Sequence, residues 1–316
     1  MTNETGIHCE KLTKRYRGGV LAVNELDLDV KGGEIFGLLG PNGAGKTTTV
    51  GMFTTLVVPT SGKAWVAGID VTVNPSLAKQ VIGVVSQYNN LDRALTVWEN
   101  LYYHARYFGL SGRESRDAAD RFLVEFRLKE HAASDVGAIS GGMARRLQVA
   151  RTLLHSPCVV FLDEPTAGLD PQSRLVLWEL LQELRRRGQT ILLTTHDMKE
   201  ADSLCDRVAI MDHGRILALD TPKKLKESVA ADTVITVAAD GDLDELAVLL
   251  RDRIPEITDS HRLDGVLQLM VKGAGGVLPR VVASAEQRGF NVNDISVAEP
   301  TLETVFIKLT GQELRE

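Results

Sequence analysis

Long apolar runs are missing from this 316-residue sequence. No window approaches the ~18 consecutive apolar residues of a membrane span. If the chain serves a membrane process, another chain must supply the membrane. Cysteine is scarce: Cys9, Cys158 and Cys205 are all there is. Three residues cannot build a disulfide scaffold, so a reducing, cytosolic setting is expected. The start, MTNETGIHCEKL, lacks the basic end and apolar stretch of a signal peptide. Basic excess is absent too. The formal charge is −6, with most of the surplus acid beyond residue 220, so no nucleic-acid partner is expected. Solenoid repeats, heptads and low-complexity tracts are also lacking.

What remains is a soluble globular composition, 44% hydrophobic and 25% charged. Its length suits two domains. Residues 7–30 alternate apolar and polar around Arg17-Gly18-Gly19, which predicts a hairpin or two edge strands. Glu34–Leu39 reads as a buried strand, and Lys46 to about Phe53 as a helix. Residues 60–70 predict a short hairpin with turns at Ser61-Gly62 and Ala67-Gly68. Val81–Val85 is the next strand. Three or four helices are expected from Thr96 to Arg151. Further strands are Cys158–Leu162 and Thr190–Thr195, each followed by a helix, Pro171 to Arg187 and Met198 to Cys205. A hairpin around His213-Gly214 closes this part. Alternating strands and helices imply an α/β fold with a mostly parallel sheet.

After Thr221-Pro222 the pattern changes. Strands at Thr233–Ala238, Ile257–Arg262, Val266–Val271 and Asn291–Ala298 interleave with helices at Leu243–Arg253 and Leu278–Arg288. The middle pair turns at Leu263-Asp264-Gly265, and a last helix runs over Thr301–Leu309. The order βαββαβ is that of a small α+β, ferredoxin-like domain. The boundaries are 1–220 and 221–316.

The chemistry concentrates in three segments. Gly40-Pro41-Asn42-Gly43-Ala44-Gly45-Lys46-Thr47 fits G-x-x-x-x-G-K-[ST] between a strand and a helix. Its glycines let backbone N–H groups turn around a phosphate, and the helix start adds partial positive charge. Lys46 would neutralise phosphate oxygens, and Thr47 would hold Mg²⁺. The strand Cys158–Leu162 ends in Asp163-Glu164. Two acids at an apolar strand tip are costly unless they have work beside a cation. Asp163 suits a metal ligand and Glu164 a general base. Ser140-Gly141-Gly142, about 20 residues earlier, is a second anion-binding helix start.

In this order the motifs resemble the nucleotide-binding subunit of an ABC transporter, over residues 1–220. The resemblance implies a P-loop NTPase with a RecA-like core, an antiparallel β subdomain and a helical subdomain over about 92–150. It makes Gly40 to Thr47 the Walker A cradle for ATP, with Thr48 a further nucleotide contact and Tyr16 stacking on adenine. Gln87 becomes the Q-loop residue, a metal ligand with Thr47 and Asp163. Ser140, Gly141 and Gly142 become the family signature. Asp170, in Gly168-Leu169-Asp170, becomes the D-loop residue, unless it merely caps the helix at Pro171. Glu164, His196, Lys46 and Gln87 become the catalytic set, His196 being the switch histidine. Met143 departs from the pattern, where glutamine is usual. A thioether cannot make an amide's hydrogen bonds, so the support of that loop is in question.

The tail, Glu299 to Gly311, is similar to that of the daunorubicin-resistance, ABC-2-type exporter group. That implies an ATPase subunit powering efflux of drug-like or lipid-like cargo. The resemblance further implies a head-to-tail homodimer on a separately encoded integral-membrane permease, peripheral to the cytoplasmic face of the membrane. Residues 221–316 become an accessory or regulatory domain. Tyr102, Tyr103, Tyr107 and Phe108 are expected to pack as core and groove wall. Rival readings are a soluble ABC ATPase without a transport role, a binding module with dead catalysis, and the ATPase of a polysaccharide or lipid exporter. The coiled-coil insertions of DNA-repair members and the paired cassettes of ribosome-acting members are absent. Lys46, Glu164 and His196 argue against dead catalysis.

Overall fold

The computed structural model describes residues 6–310, apart from 230, 232, 264 and 274. The predicted turn at Asp264, the end of the tail at Gly311 and the first five residues of the chain lie outside the described residues. Contacts divide the chain into two units between Leu219 and Asp220.

The first unit opens with strands β1 (Ile7–Arg15) and β2 (Leu21–Val30). Then come β3 (Ile35–Leu39), helix α1 (Lys46–Phe53), β4 (Ser61–Val66), β5 (Ile69–Asp70), α2 (Pro75–Val81) and β6 (Ile82–Val85). The helical stretch holds α3 (Val97–Tyr107), α4 (Gly112–Glu125) and α5 (Gly141–Leu153). Thr96 and Ser111 start α3 and α4 with capping boxes completed by Glu99 and Glu114. The chain continues through β7 (Val159–Asp163), α6 (Pro171–Arg186), β8 (Thr190–Thr195), α7 (Met198–Leu204), β9 (Arg207–Asp212) and β10 (Arg215–Asp220).

Two sheets result. One has the order β2-β1-β4-β5, all antiparallel. The other runs β10-β9-β3-β8-β7-β6, and β9, β3, β8, β7 and β6 are parallel. β3 and β8 are buried along their whole length and β7 up to the half-buried Asp163, as central parallel strands must be; the threonines of β8 sit at its ends. Helix α1 shares one core with both sheets: Met52 and Phe53 pack with Leu12, Val23, Phe36 and Phe161. The rings of Phe53 and Phe161 stack 6.2 Å apart. Parallel strands deliver their C-terminal ends to one edge, the position at which open α/β sheets bind ligands. Among the described residues no helix is long and apolar enough to cross a membrane.

The second unit begins with α8 (Pro222–Glu227). It continues through β11 (Thr233–Ala239), α9 (Leu243–Arg253), β12 (Ile257–Leu263), β13 (Val266–Val271), α10 (Val277–Glu286), β14 (Val292–Ala298) and α11 (Leu302–Thr310). Its sheet has the order β12-β13-β11-β14, antiparallel throughout. With β11 to β14 numbered one to four, that is 2-3-1-4, the split βαβ arrangement of a ferredoxin-like fold. Ile235, Val237, Leu246, Leu250, Leu269 and Val281 form its own core.

Two local expectations need correction, and one short helix was missed. Ser61-Gly62 is not a turn: both residues lie in β4, where Gly62 takes φ +85° beside a break in the β1–β4 register. That is a bulge, which glycine's left-handed freedom permits. Val81 ends α2, a seven-residue helix too short to show a 3.6 period in sequence. At Thr221-Pro222, where the pattern changes, a helix starts that the sequence reading did not place. Thr221 accepts from the Lys224 N–H, and Pro222 sits where a missing N–H costs nothing.

Candidate active site

The site assembles because four neighbouring parallel strands end together. β3 leads into Gly40–Gly45, β7 ends at Asp163 with Glu164 next, β8 leads to His196, and β6 leads to Gln87. The loop before α1 requires glycine at position 45. Its φ is +101°, and a Cβ there would sit 2.4 Å from the Ala22 carbonyl oxygen. The Lys46 ammonium, 5% exposed, donates to the carbonyls of Gly40 at 2.6 Å and Pro41 at 3.2 Å. Burial pulls the pKa of this lysine down from its ordinary value, and the nearby charges of Glu164 and Asp163 partly oppose that.

Glu164 sits between two cationic or protic partners. Lys46 Nζ lies 3.5 Å from Oε1, and His196 Nδ1 lies 2.7 Å from Oε2. Its backbone is left-handed, φ +49°, an uncommon state for a non-glycine residue that recurs at functional sites. The Glu164 N–H is held by the Thr194 carbonyl at 3.2 Å and by Thr194 Oγ1 at 3.1 Å. Thr194 Oγ1 also donates to Asp163 Oδ1 at 2.6 Å, and Thr47 Oγ1 reaches the same oxygen at 3.3 Å. Thr47 and Asp163 therefore offer hard oxygen donors side by side. Among the described residues no group of three or more acidic, histidine or cysteine side chains could hold a metal. A cation here would complete its shell with phosphate oxygens and water. That is how Mg²⁺ is usually held, so the residues fit it.

A cavity of about 440 Å³ opens beside this constellation. Its walls are Tyr16, Val20, Leu21, Ala22, Pro41, Asn42, Gly43, Ala44, Gly45, Lys46, Thr47, Thr48, Gln87, Glu164 and His213. The Tyr16 ring is 41% exposed. Its hydroxyl is 3.3 Å from Thr48 Oγ1, and the Lys14 ammonium lies 5.1 Å from its centroid. An aromatic face beside a phosphate-sized loop can stack on a nucleobase. Asp163 and His196 are not cavity walls but touch residues that are.

Ser140, Gly141, Gly142 and Asp170 are not brought to this cavity. They cluster elsewhere in the same chain. Ser140 Oγ accepts the Met143 N–H at 3.2 Å and so caps α5. Asp170 caps α6 by accepting the Ser173 N–H at 2.9 Å. The two helix starts meet: a Cβ on Gly142 would lie 2.2 Å from Ser173 Oγ. Ser140 and Gly141 remain exposed. Of the aromatic cluster, Tyr102 stacks on Trp98 at 4.9 Å and Phe108 on His155 at 3.9 Å, but Tyr103 and Tyr107 are exposed.

Sequence reasoning missed Thr194, although the polar pair ending the apolar run ILLTT was a signal. It also missed Arg145. This side chain, 7% exposed, donates to the carbonyls of Ser86, Asp163, Glu164 and Pro165 at 2.6, 2.9, 2.8 and 2.7 Å. Nothing in the sequence marks backbone acceptors.

Comparison with known proteins shows the family. Residues 23–167 match the family model described as ABC transporter. The chain is 41% identical over 308 residues to the Nod factor export ATP-binding protein I of Rhizobium sp. (strain N33), covering 96% of each chain. It is 39% identical over 306 residues to a daunorubicin resistance ATP-binding protein of Streptomyces coeruleorubidus, covering 96% of this chain and 95% of that one. Among solved structures it is similar to cbiO1 of Clostridium perfringens, part of an ABC transporter complex. There the TM-score is 0.66 at 29% identity, over 71% of this chain and 92% of the other. It is also similar to a dimeric ATP-binding cassette in a post-hydrolysis state with ADP and Pi, with a TM-score of 0.63 at 27% identity over 68% and 98%.

Proposed function

This chain belongs to the ABC transporter family of ATP-binding proteins, and from that membership we propose that it powers an ABC-2-type exporter as a homodimer on a separately encoded permease. It is an ATPase. The observation that carries the finer reading is how its motifs divide. Lys46, Thr47, Asp163, Glu164 and His196 converge on one cavity edge, while Ser140 and Gly141 stay exposed and outside that cavity. A phosphate-binding helix start that does not face its own chain's nucleotide is suited to face another's. Two copies placed head to tail would sandwich two nucleotides. Closure would then be driven by contacts that only the paired state makes.

The chain's own residues suggest the following division of labour. Tyr16 stacks on the base, and N–H groups of residues 41–48 cradle the phosphates. Lys46 leaves the carbonyls of Gly40 and Pro41 for the β- and γ-phosphate oxygens. Glu164 Oε2, oriented by His196, takes the proton of an attacking water. Ser140 and Gly141 of the opposite copy meet the terminal phosphate with Asp170 nearby. Thr47, Asp163 and Gln87 would hold Mg²⁺, which when bound neutralises developing phosphate charge. Loss of the terminal phosphate removes the bridge and frees the two halves.

Residues 221–316 are proposed to be an accessory domain that stabilises or regulates the dimer. The names of the relatives support cargo in the range of Nod factors and daunorubicin-like drugs. With no spanning helix among the described residues, membrane attachment would be peripheral, at the cytoplasmic face. The deciding experiment is affinity purification of the tagged chain from detergent-solubilised membranes. Retention of a polytopic partner that stimulates Mg²⁺-dependent phosphate release supports the reading. Phosphate release with no membrane partner makes it a soluble ABC ATPase instead.

A further inference from the structure

We propose that Arg145 is a positioning residue for ATP hydrolysis, fixing the backbone that carries Glu164 and Gln87 to the helix that begins at Ser140. The inference rests on the reading of Glu164 and Gln87 given above. A guanidinium has five N–H donors in a planar fork. Here five acceptors meet it: Nε faces Pro165 O, Nη1 faces Ser86 O and Gln148 Oε1, and Nη2 faces Asp163 O and Glu164 O. No carboxylate is among them. A buried cation that spends every donor on one side-chain amide and four backbone carbonyls fixes a path of chain; it does not serve as a salt bridge.

Three of those carbonyls are consecutive, at 163, 164 and 165. A strand alternates its carbonyls to opposite sides. These three turn to one point because Glu164 adopts φ +49°. Arg145 therefore holds the backbone twist that aims the Glu164 carboxylate at Lys46 and His196. The fourth carbonyl, Ser86 O, belongs to the residue before Gln87. The same face of α5 continues the grip at three-residue intervals. Gln148 Nε2 donates to Tyr88 O at 3.0 Å, and Arg151 Nη1 donates to Asn90 O at 3.0 Å. One helix thus begins with Ser140 and, five residues on, sets both the general base and the Q-loop of its own chain. Lysine cannot replace Arg145. Its three donors radiate from one point and do not span the fork.

The test uses the full chain with Arg145→Lys, Gln148→Ala and Glu164→Gln, read by phosphate release and by titration with a fluorescent ATP analogue. A displaced base predicts that Arg145→Lys loses about 100-fold in kcat. The analogue Kd and the KM for ATP stay within about threefold, because the Lys46 loop is untouched. Gln148→Ala, which removes one acceptor and the tie to Tyr88, loses about fivefold in kcat in the same way. Unchanged kcat in Arg145→Lys, or parallel losses in kcat and Kd, would overturn the inference. If Arg145→Lys does not fold, an unchanged kcat in Gln148→Ala overturns it instead. Glu164→Gln separates the two levels. Wild-type turnover in that variant sinks the reading of the site itself. A dead Glu164→Gln beside a fully active Arg145→Lys sinks only the present inference.

Discussion

His196 and Glu164 are joined by a 2.7 Å contact between Nδ1 and Oε2, while the other carboxylate oxygen faces Lys46. The histidine thus fixes which oxygen is turned away from the lysine. It follows that the pair fails unequally. Glu164→Gln keeps a hydrogen-bonding oxygen but cannot take a proton, and kcat should fall by about 10²–10⁴-fold with nucleotide binding retained. His196→Ala leaves the base intact but unoriented, with a loss of about tenfold to 100-fold. Single-turnover phosphate release checks the ranking; equal losses would contradict it.

Lys46 is a group whose protonation should couple to nucleotide. Burial holds its pKa below the ordinary 10.5 in the free chain. A bound polyanion restores the charged form, so nucleotide binding should take up a proton as pH rises into the alkaline range below 10.5. Affinity for ATP then falls with rising pH in that window. The same depression acts on folding. The native lysine binds fewer protons than the unfolded one, so its share of stability grows as pH rises from its lowered pKa toward 10.5. Binding calorimetry in two alkaline buffers of different ionisation enthalpy measures the proton uptake. Lys46→Arg, which stays charged, should abolish it.

The start of α5 abuts the start of α6 at Gly142 and Ser173. Gly142→Ala would place a methyl carbon 2.2 Å from Ser173 Oγ and 2.5 Å from its Cβ. The serine is fixed by its own capped N–H, so α5 must move instead. Turnover should fall by at least about tenfold. Analogue binding to the single chain should be unchanged, since the cavity walls do not include this pair. ATP-dependent dimerisation, followed by sizing chromatography in a Glu164→Gln background, should be lost with it.

Much of this site was legible because its motifs are contiguous. The start of α1 at Lys46 agrees with the sequence reading, since the loop motif itself marks the helix start. Asp163 and Glu164 stood out as acids at an apolar strand tip. What was not legible is whatever depends on backbone acceptors or on short elements. Arg145 looks in sequence like any helical arginine; its proposed role rests on four carbonyls, three of which the left-handed Glu164 turns toward it. Helices α2 and α8, of seven and six residues, are too short for a period to emerge. Asp170 shows a further limit. Its cap on Ser173 is visible in one chain, whereas a D-loop function needs two.

Met143 looked like the weak point of the signature, and the structure moves the question to the backbone. Ser140 Oγ is engaged by the Met143 N–H at 3.2 Å, a donor every residue but proline supplies. Neither the thioether nor an amide in its place is needed for that cap. Met143→Gln should therefore alter kcat by less than about threefold, while Met143→Pro should remove the cap, at about 1 kcal/mol of local stability, and most of the turnover. The comparison is made by phosphate release at saturating ATP, with helix content checked by circular dichroism. A tenfold gain from Met143→Gln would mean that the amide does bond across to the opposite copy. The exposed Ser140 and Gly141 would then need that side chain, and not the helix start alone, to reach the nucleotide.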